Sequence, residues 1–306
     1  MLIRWLALSP RAARTSCHGR IEITLPPNEN GFVPLFNGID LAGWTAQPRQ
    51  YGNVYPGGPR VTDTVPGFPR DYNDQAAEHP AVWTVEDGAI VGRQDAPGSG
   101  WGGYLVSNDQ YGDFELRLEM KPDWPADTGI MVRRRFDDWA GLQVLVDHRQ
   151  SGSIGGFFGN GLARIQGIPF ALTATLDQHG APIGLAADDP HTSVEPFSAE
   201  KARLLSFAGD VDEFLAVWRW NDWNELTVRC VGNLPTVTSW VNKVKVAEID
   251  LSQVEAPNFR PEDVAAALGN RGHIAFEVHD NDPILGARRW APGAACRWRA
   301  VRLRVL

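Results

Sequence analysis

The chain predicts an all-β protein, a sandwich or jelly roll of two antiparallel sheets with a few short helices. Three observations point there. Apolar and polar residues alternate with period two in segment after segment; turn dipeptides separate those segments; and no strand–helix–strand alternation or fixed-period repeat intervenes.

Taken in order, the N-terminus MLIRWLALSPRAARTSC carries arginines but only a short apolar run, Trp5 to Leu8. That falls below the about 7–15 residues of a signal-peptide core. Residues 1–25 therefore read as a flexible tail, in a protein expected in the cytoplasm rather than exported, with one jelly-roll domain over 26–306. No apolar run approaches the roughly 18 residues of a membrane helix, so no membrane span is expected. Asn37-Gly38 is a turn signal among Phe32, Leu35, Phe36, Leu41 and Trp44. Residues 46–80 are dense in Pro, Gly, Tyr and Asp and keep no apolar period. Tyr51, Tyr55, Phe68 and Tyr72 are too many for a disordered loop, so this stretch reads as an ordered flap beside a site.

AVWTVEDGAIVG is a hairpin about Asp87-Gly88. Gly98, Gly100 and Gly103 have the spacing of a dinucleotide fingerprint, but the strand-like YLVS follows where that site needs a helix. In YGDFELRLEMKP, Phe114, Leu116, Leu118 and Met120 alternate with Glu115, Arg117 and Glu119. Asp127 to Arg149 reads as two strands. A register that buries Ile130, Val132, Leu142, Val144 and Val146 presents Arg133, Gln143 and Asp147 on the other face. A cation, an amide and a carboxylate on one face can floor a polar binding site, although a solvated outer face has the same pattern.

Residues 170–209 look irregular, apart from a helix expected from the N-cap Ser198 through Phe207 with a stop at Gly209. DWNELTVRCVGNLPTVTSWVNKVKVAEIDL gives two strands across a polar turn, and a short helix starts at Pro261 and ends before Gly269. RGHIAFEVHDND and CRWRAVRLRVL are the last strands. In the former, Ile274, Phe276 and Val278 alternate with Ala275, Glu277 and His279, so Glu277 and His279 share a face.

Composition narrows the function. With 22% charged and 43% hydrophobic residues the chain is an ordinary globular protein, and a net charge of -8 argues against a nucleic-acid partner. Cys17, Cys230 and Cys296 lie far apart without a C-x-x-C pair, which disfavours zinc or disulfides; Cys230 and Cys296 read as buried thiols. Twelve tryptophans suit both a sandwich core and a sugar-binding cleft. Trp101, Tyr104 and Trp139 are candidates to stack on a sugar ring, though a Trp in a sandwich is more often core. His279 is the side chain best suited to exchange protons near neutral pH. Asp147, Glu277 and His279 could also hold a divalent cation, because their donor atoms suit one; no cofactor is otherwise implied.

Several segments together resemble the 3-keto-disaccharide hydrolase domain family. They are GFVPLFNGIDLAGW (31–44), WTVEDGAIVG (83–92), GYLVSNDQYGDFELRLE (103–119), TGIMVR (128–133), GLQVLVD (141–147), DWNELTVRCVGN (222–233) and GHIAFEVHD (272–280). The resemblance implies a concanavalin- or laminarinase-like jelly roll with a groove on its concave sheet. It also implies cleavage of glycosides already oxidised to a ketone at C3. The family's motif positions carry over to Arg133, Gln143, Asp147 and His279. The chain departs from the family at Asp127-Thr128, where Asn-Ser is usual, at Glu277 for Gln, and at Phe158 for Tyr.

The expected reaction follows from the ketone. It acidifies the C2 hydrogen, so His279 can remove that proton while Arg133 holds the enolate, with Glu277 beside them and Gln143 and Asp147 binding a small-molecule sugar. The C1 substituent leaves and water adds. The E-x-D-x-x-E strand of laminarinase-type enzymes is absent, which disfavours hydrolysis of an unoxidised glycoside. The alternative is a non-catalytic carbohydrate-binding jelly roll, and the sequence sets no oligomeric state.

Overall fold

The structure, a computed structural model, describes residues 30–306 apart from Pro97 and Ser193. The tail expected over 1–25 lies outside the described residues. Two antiparallel sheets face each other. The nine-stranded sheet runs β13 (Phe207–Ala208), β16 (Val244–Asp250), β15 (Thr236–Val241), β14 (Asn224–Val231), β6 (Phe114–Pro122), β18 (Cys296–Val305), β4 (Ala89–Arg93), β3 (Val82–Glu86), with β1 (Val33–Pro34) also on β18. The seven-stranded sheet runs β10 (Gln166–Gly167), β9 (Ile154–Asn160), β8 (Gly141–His148), β7 (Ala126–Arg134), β17 (His273–Val278), β5 (Gly103–Ser107), β2 (Trp44–Pro48). A separate hairpin pairs β11 (Leu172–Leu176) with β12 (Pro182–Ala187).

The period-two pattern explains the core. Phe114, Leu116, Leu118 and Met120 of β6 point inward against Ile130 and Val132 of β7, Leu142, Val144 and Val146 of β8, and Ile274, Phe276 and Val278 of β17. Trp298 of β18 stacks on Phe276, which stacks on Trp44, so three aromatic rings bridge the sheets. Cys230 and Cys296 are free thiols within this core, and burial pushes both up in pKa. The sandwich is the expected architecture. Asp87 and Gly88 both take left-handed φ, 50° and 74°, as the tight β3–β4 turn demands.

Residues 49–80 form a flap over the outer face of the seven-stranded sheet. It carries two short helices, α1 (Val61–Thr64) and α2 (Tyr72–Ala76), that the sequence pattern did not reveal. Its own small core is Tyr51, Val61, Val65, Tyr72 and Ala76 packed on Trp139, with Val54, Phe68 and Trp101 at the margin. These aromatic residues anchor the loop.

Elsewhere, the stretch expected to be irregular contains β11 and β12. The helix expected from Ser198 to Phe207 is shorter, α3 (Ala199–Arg203), because Phe207 joins β16 as strand β13. A further helix, α4 (Val211–Val217), is capped by Asp210, and α5 (Pro261–Leu268) ends at Gly269 as expected. Among the described residues no helix is long and apolar enough to cross a membrane.

Candidate active site

The site is built on the outer face of β7, β8 and β17. Asp127 and Gly129 on β7 alternate with inward-facing residues, as do Gln143 and Asp147 on β8 and Glu277 on β17; Asp127 lies directly opposite Asp147. Gly129 matters through what it lacks: a Cβ there would stand 2.7 Å from Gln143 Cγ and 2.8 Å from the Val144 carbonyl oxygen. The bare backbone lets the Gln143 side chain cross β7, where its amide donates to Glu277 Oε2. Thr128 donates to the Glu277 carbonyl, which fixes the strand from behind.

Arg133 does not join this face. A bulge between His273 and Ala275 breaks the β7–β17 register, and Arg133 takes φ 52°. The extra residue reverses which side chain faces out. Arg133 turns to the edge of the sandwich and donates to Asp113 Oδ1 (3.0 Å) and to the carbonyls of Gly269 (2.9 Å) and Gly232 (3.1 Å). The convergence expected of Arg133 with Gln143, Glu277 and His279 is thus corrected. Arg134 faces out in its place, flat over the Tyr104 ring at 4.5 Å.

The cation beside the expected residues comes from the flap. Arg49 is 4% exposed. Its guanidinium donates to Glu277 Oε1 (2.8 Å) and Asp280 Oδ1 (2.9 Å), and Nη2 lies 3.0 Å from His279 Nε2. On its other side His279 places Nδ1 2.7 Å from the Asp280 carbonyl oxygen. A carbonyl only accepts, so Nδ1 carries the proton and Nε2 keeps its lone pair. Asp280 also receives the hydroxyls of Tyr51 (2.9 Å) and Tyr72, which ties the flap to the residue that orients the imidazole.

A second charged cluster closes the other end. Arg289 donates to Asp127 Oδ2 (2.7 Å) and Asp282 Oδ2 (2.9 Å), and Arg149 reaches Asp147 Oδ2 (2.8 Å) and Glu195 Oε2 (2.5 Å). Burial alone would raise Asp127, but His279, Arg289 and Arg149 outweigh it and hold the carboxyl at about 2. Asp147 is pushed the opposite way, by burial and by Asp127, against the pull of Arg149. Its Oδ1 is buried and has no partner among the described residues. For His279, burial and Arg49 act downward, yet Asp127 and Asp280 prevail and its pKa rises above 6.5.

Between these clusters lies a cavity of about 270 Å³. Gln143, Asp147 and His279 line it from the sheet, Arg49, Tyr51 and Phe68 from the flap. Phe158, opposite Gln143, contributes its ring. Of the three stacking candidates only Trp139 lines the cavity, with Nε1 tied to the Asn53 carbonyl at 3.0 Å. Trp101 instead stacks on His79 and leans on Tyr72, outside the cavity, and Tyr104 is fully buried beneath Arg134. Asp147, Glu277 and His279 do not fit a shared cation, because Arg49, Gln143 and Arg149 already occupy donor atoms of all three. Among the described residues no group of three or more His, Cys, Asp or Glu side chains is arranged to hold a metal ion.

A family model, the 3-keto-alpha-glucoside-1,2-lyase-like domain, matches residues 31–304. The chain belongs to that family. Membership in the 3-keto-alpha-glucoside-1,2-lyase-like family marks it as a carbohydrate-active protein, as the motif segments implied. No curated protein matches the sequence. Solved structures are similar to the chain only at low identity and low TM-score. One from Parabacteroides distasonis, provisionally named a glycosyl hydrolase, is 14% identical with a TM-score of 0.45, covering 90% of this chain and 94% of that one. The carbohydrate-binding module CBM66 of Bacillus subtilis is 13% identical with a TM-score of 0.38, covering 73% and 91%. A lichenase from a mouse hindgut metagenome is 11% identical with a TM-score of 0.35, covering 73% and 83%.

Proposed function

We propose that this member of the family cleaves glycosides already oxidised to a ketone at C3, by proton abstraction at C2, loss of the C1 substituent and hydration. The observation that carries the reading is the 3.0 Å contact between Arg49 Nη2 and His279 Nε2 in a buried cavity. It sets a lone-pair base and a cation side by side, the two groups an α-proton abstraction next to a ketone needs.

The C3 oxygen draws the Arg49 guanidinium onto itself and thereby frees Nε2. That nitrogen takes the C2 proton, and the C2–H electrons become the enolate that Arg49 neutralises. As the C3 carbonyl reforms, C1 and C2 become doubly bonded and the C1–O bond breaks. Asp147, whose pKa burial and Asp127 raise against the pull of Arg149, gives a proton to the departing oxygen. Water then adds at C1, and a proton returns to C2. Tyr51 and Tyr72, through Asp280, keep the imidazole in its orientation, and the aromatic flap excludes bulk water.

A second reading is favoured by one feature: Asp127 and Asp147 are opposed carboxyls with divergent acidities, the pairing that a direct glycosidase uses. Arg289 and Arg149 both bind Asp127 Oδ2, which weakens it as a nucleophile. The deciding experiment incubates the protein with a 3-keto-glucoside and with its unoxidised parent. Release from the ketone alone supports the lyase-type reaction. Release from the parent supports the direct glycosidase, and saturable binding without turnover of either supports a non-catalytic module.

A further inference from the structure

A second cavity, of about 190 Å³, opens where the β6–β7 turn meets the loop between α4 and β14, and it shares no lining residue with the first. Trp124 and Trp220 form its walls, with ring centroids 6.1 Å apart and planes inclined by 47°. His148 lies against both rings, at 5.2 Å and 5.1 Å. Asp123 and Asn221 complete its polar rim.

The chemistry of these groups selects a ligand class. His148 is 2% exposed, and its Nδ1 faces the Asp123 carbonyl oxygen at 3.1 Å, so Nδ1 is the protonated nitrogen. Nε2 is then a buried acceptor with no partner among the described residues. Burial holds the imidazole neutral, with a pKa of about 4. The Asp123 carboxylate is neutralised by Arg297 at 2.7 Å, so little charge remains for a cationic ligand. Among the described residues no Lys or Arg lines the cavity, so none of them draws an anion there. Two half-buried indole faces over a neutral imidazole, with an amide at the rim, suit an uncharged ring that carries hydroxyls.

We propose that this cavity is a second, non-catalytic binding site for a neutral pyranose unit, with the ring against Trp124 and Trp220 and a hydroxyl bonded to the Asn221 side-chain amide on the rim. It is independent of the reaction assigned to the first cavity. A site of this kind would hold the carrier glycan while the other cavity turns over.

Saturation-transfer NMR on the full chain tests it, with the unoxidised methyl glycosides of glucose, galactose and mannose as probes. At least one should bind saturably, at about millimolar affinity. Trp220→Ala should weaken that binding about tenfold, the worth of one aromatic face, while Asp147→Asn in the first cavity leaves it unchanged. Affinity should stay flat between about pH 5.5 and 8, because His148 remains neutral throughout. If Trp220→Ala does not fold, the exposed Asn221→Ala takes its place and must weaken the same binding. No saturable binding by any probe would overturn the proposal. So would binding indifferent to Trp220→Ala and Asn221→Ala, or binding lost in Asp147→Asn, which would place the sugar in the first cavity.

Discussion

Asp127 and Asp147 face each other across β7 and β8, yet their surroundings drive the two carboxyls in opposite directions. Arg289 and Arg149 keep Asp127 ionised. Burial and that negative charge raise the pKa of Asp147, one of whose buried oxygens has no partner among the described residues, which suits the carboxyl to an acid role.

Asp147→Asn should therefore separate substrates by leaving group. An alkyl 3-keto-glucoside, whose departing oxygen needs a proton, should lose about 10²–10⁴ in kcat. The 4-nitrophenyl analogue leaves without help and should lose far less. Equal losses on both would remove Asp147 from the proton-transfer step.

His279 must be neutral to act as a base. Because its pKa lies above 6.5, kcat/KM should rise with pH through a midpoint above that value, and the limb should vanish in His279→Ala. Turnover in His279→Ala should fall by about 10²–10⁴ while affinity for the ketone changes little. A limb at or below 6.5 that survives the substitution would transfer the base role to another group.

Arg49 and Arg133 should give contrasting phenotypes. Arg49→Ala removes the cation from the ketone site and should damage both kcat and KM. Arg133→Ala strands two carbonyls at the sandwich edge, leaves the part-exposed Asp113 carboxylate to water, and should lower stability by on the order of 2 kcal/mol. Its kcat at low temperature should stay near that of the unaltered protein. Thermal melts and steady-state kinetics on the two variants check the contrast, and a catalytic defect in a well-folded Arg133→Ala would contradict it.

Tyr72→Phe takes a hydroxyl from Asp280 without emptying the flap core. Residues 49–80 should then exchange amide hydrogens faster and be cut sooner by protease, while the sheets keep their protection. Unchanged protection in the flap would mean that its aromatic packing alone holds it down.

The sandwich was legible because period-two alternation reports which face of a strand is buried, and it did so correctly for β6, β8 and β17. The same logic failed at Arg133. A one-residue bulge leaves the local pattern intact while reversing the face, and the register that reveals it involves His273, far along the chain. The shared face of Gln143, Asp147, Glu277 and His279 was legible because each alternates with apolar neighbours. Arg149 could have been found with them, two residues after Asp147 in VDHR. Asp127 obeys the same period, as a departure from the family's usual Asn. Arg49 and Arg289 had no such signal: each sits in a loop, and only the folded chain brings them to the sheet. Trp101 and Tyr104 lie outside the cavity, and the sequence left both readings open because ring type does not tell packing from binding.

The position of the two last strands bears on how the chain is made. β17 lies between β7 and β5, and β18 lies between β6 and β4. During synthesis, the strands before residue 273 pair as separate groups: β2 with β5, β3 with β4, β7 through β10, and β6 with β13 to β16, besides the separate hairpin of β11 with β12. Each group has an apolar face and an unpaired edge, the condition in which nascent sheets invite aggregation. β17 and β18 join these groups and bring Glu277 with them, followed at once by His279. A chain that stalls on the ribosome before that point would therefore depend on chaperones, and loss of its last strands would dismantle both sheets rather than trim one end.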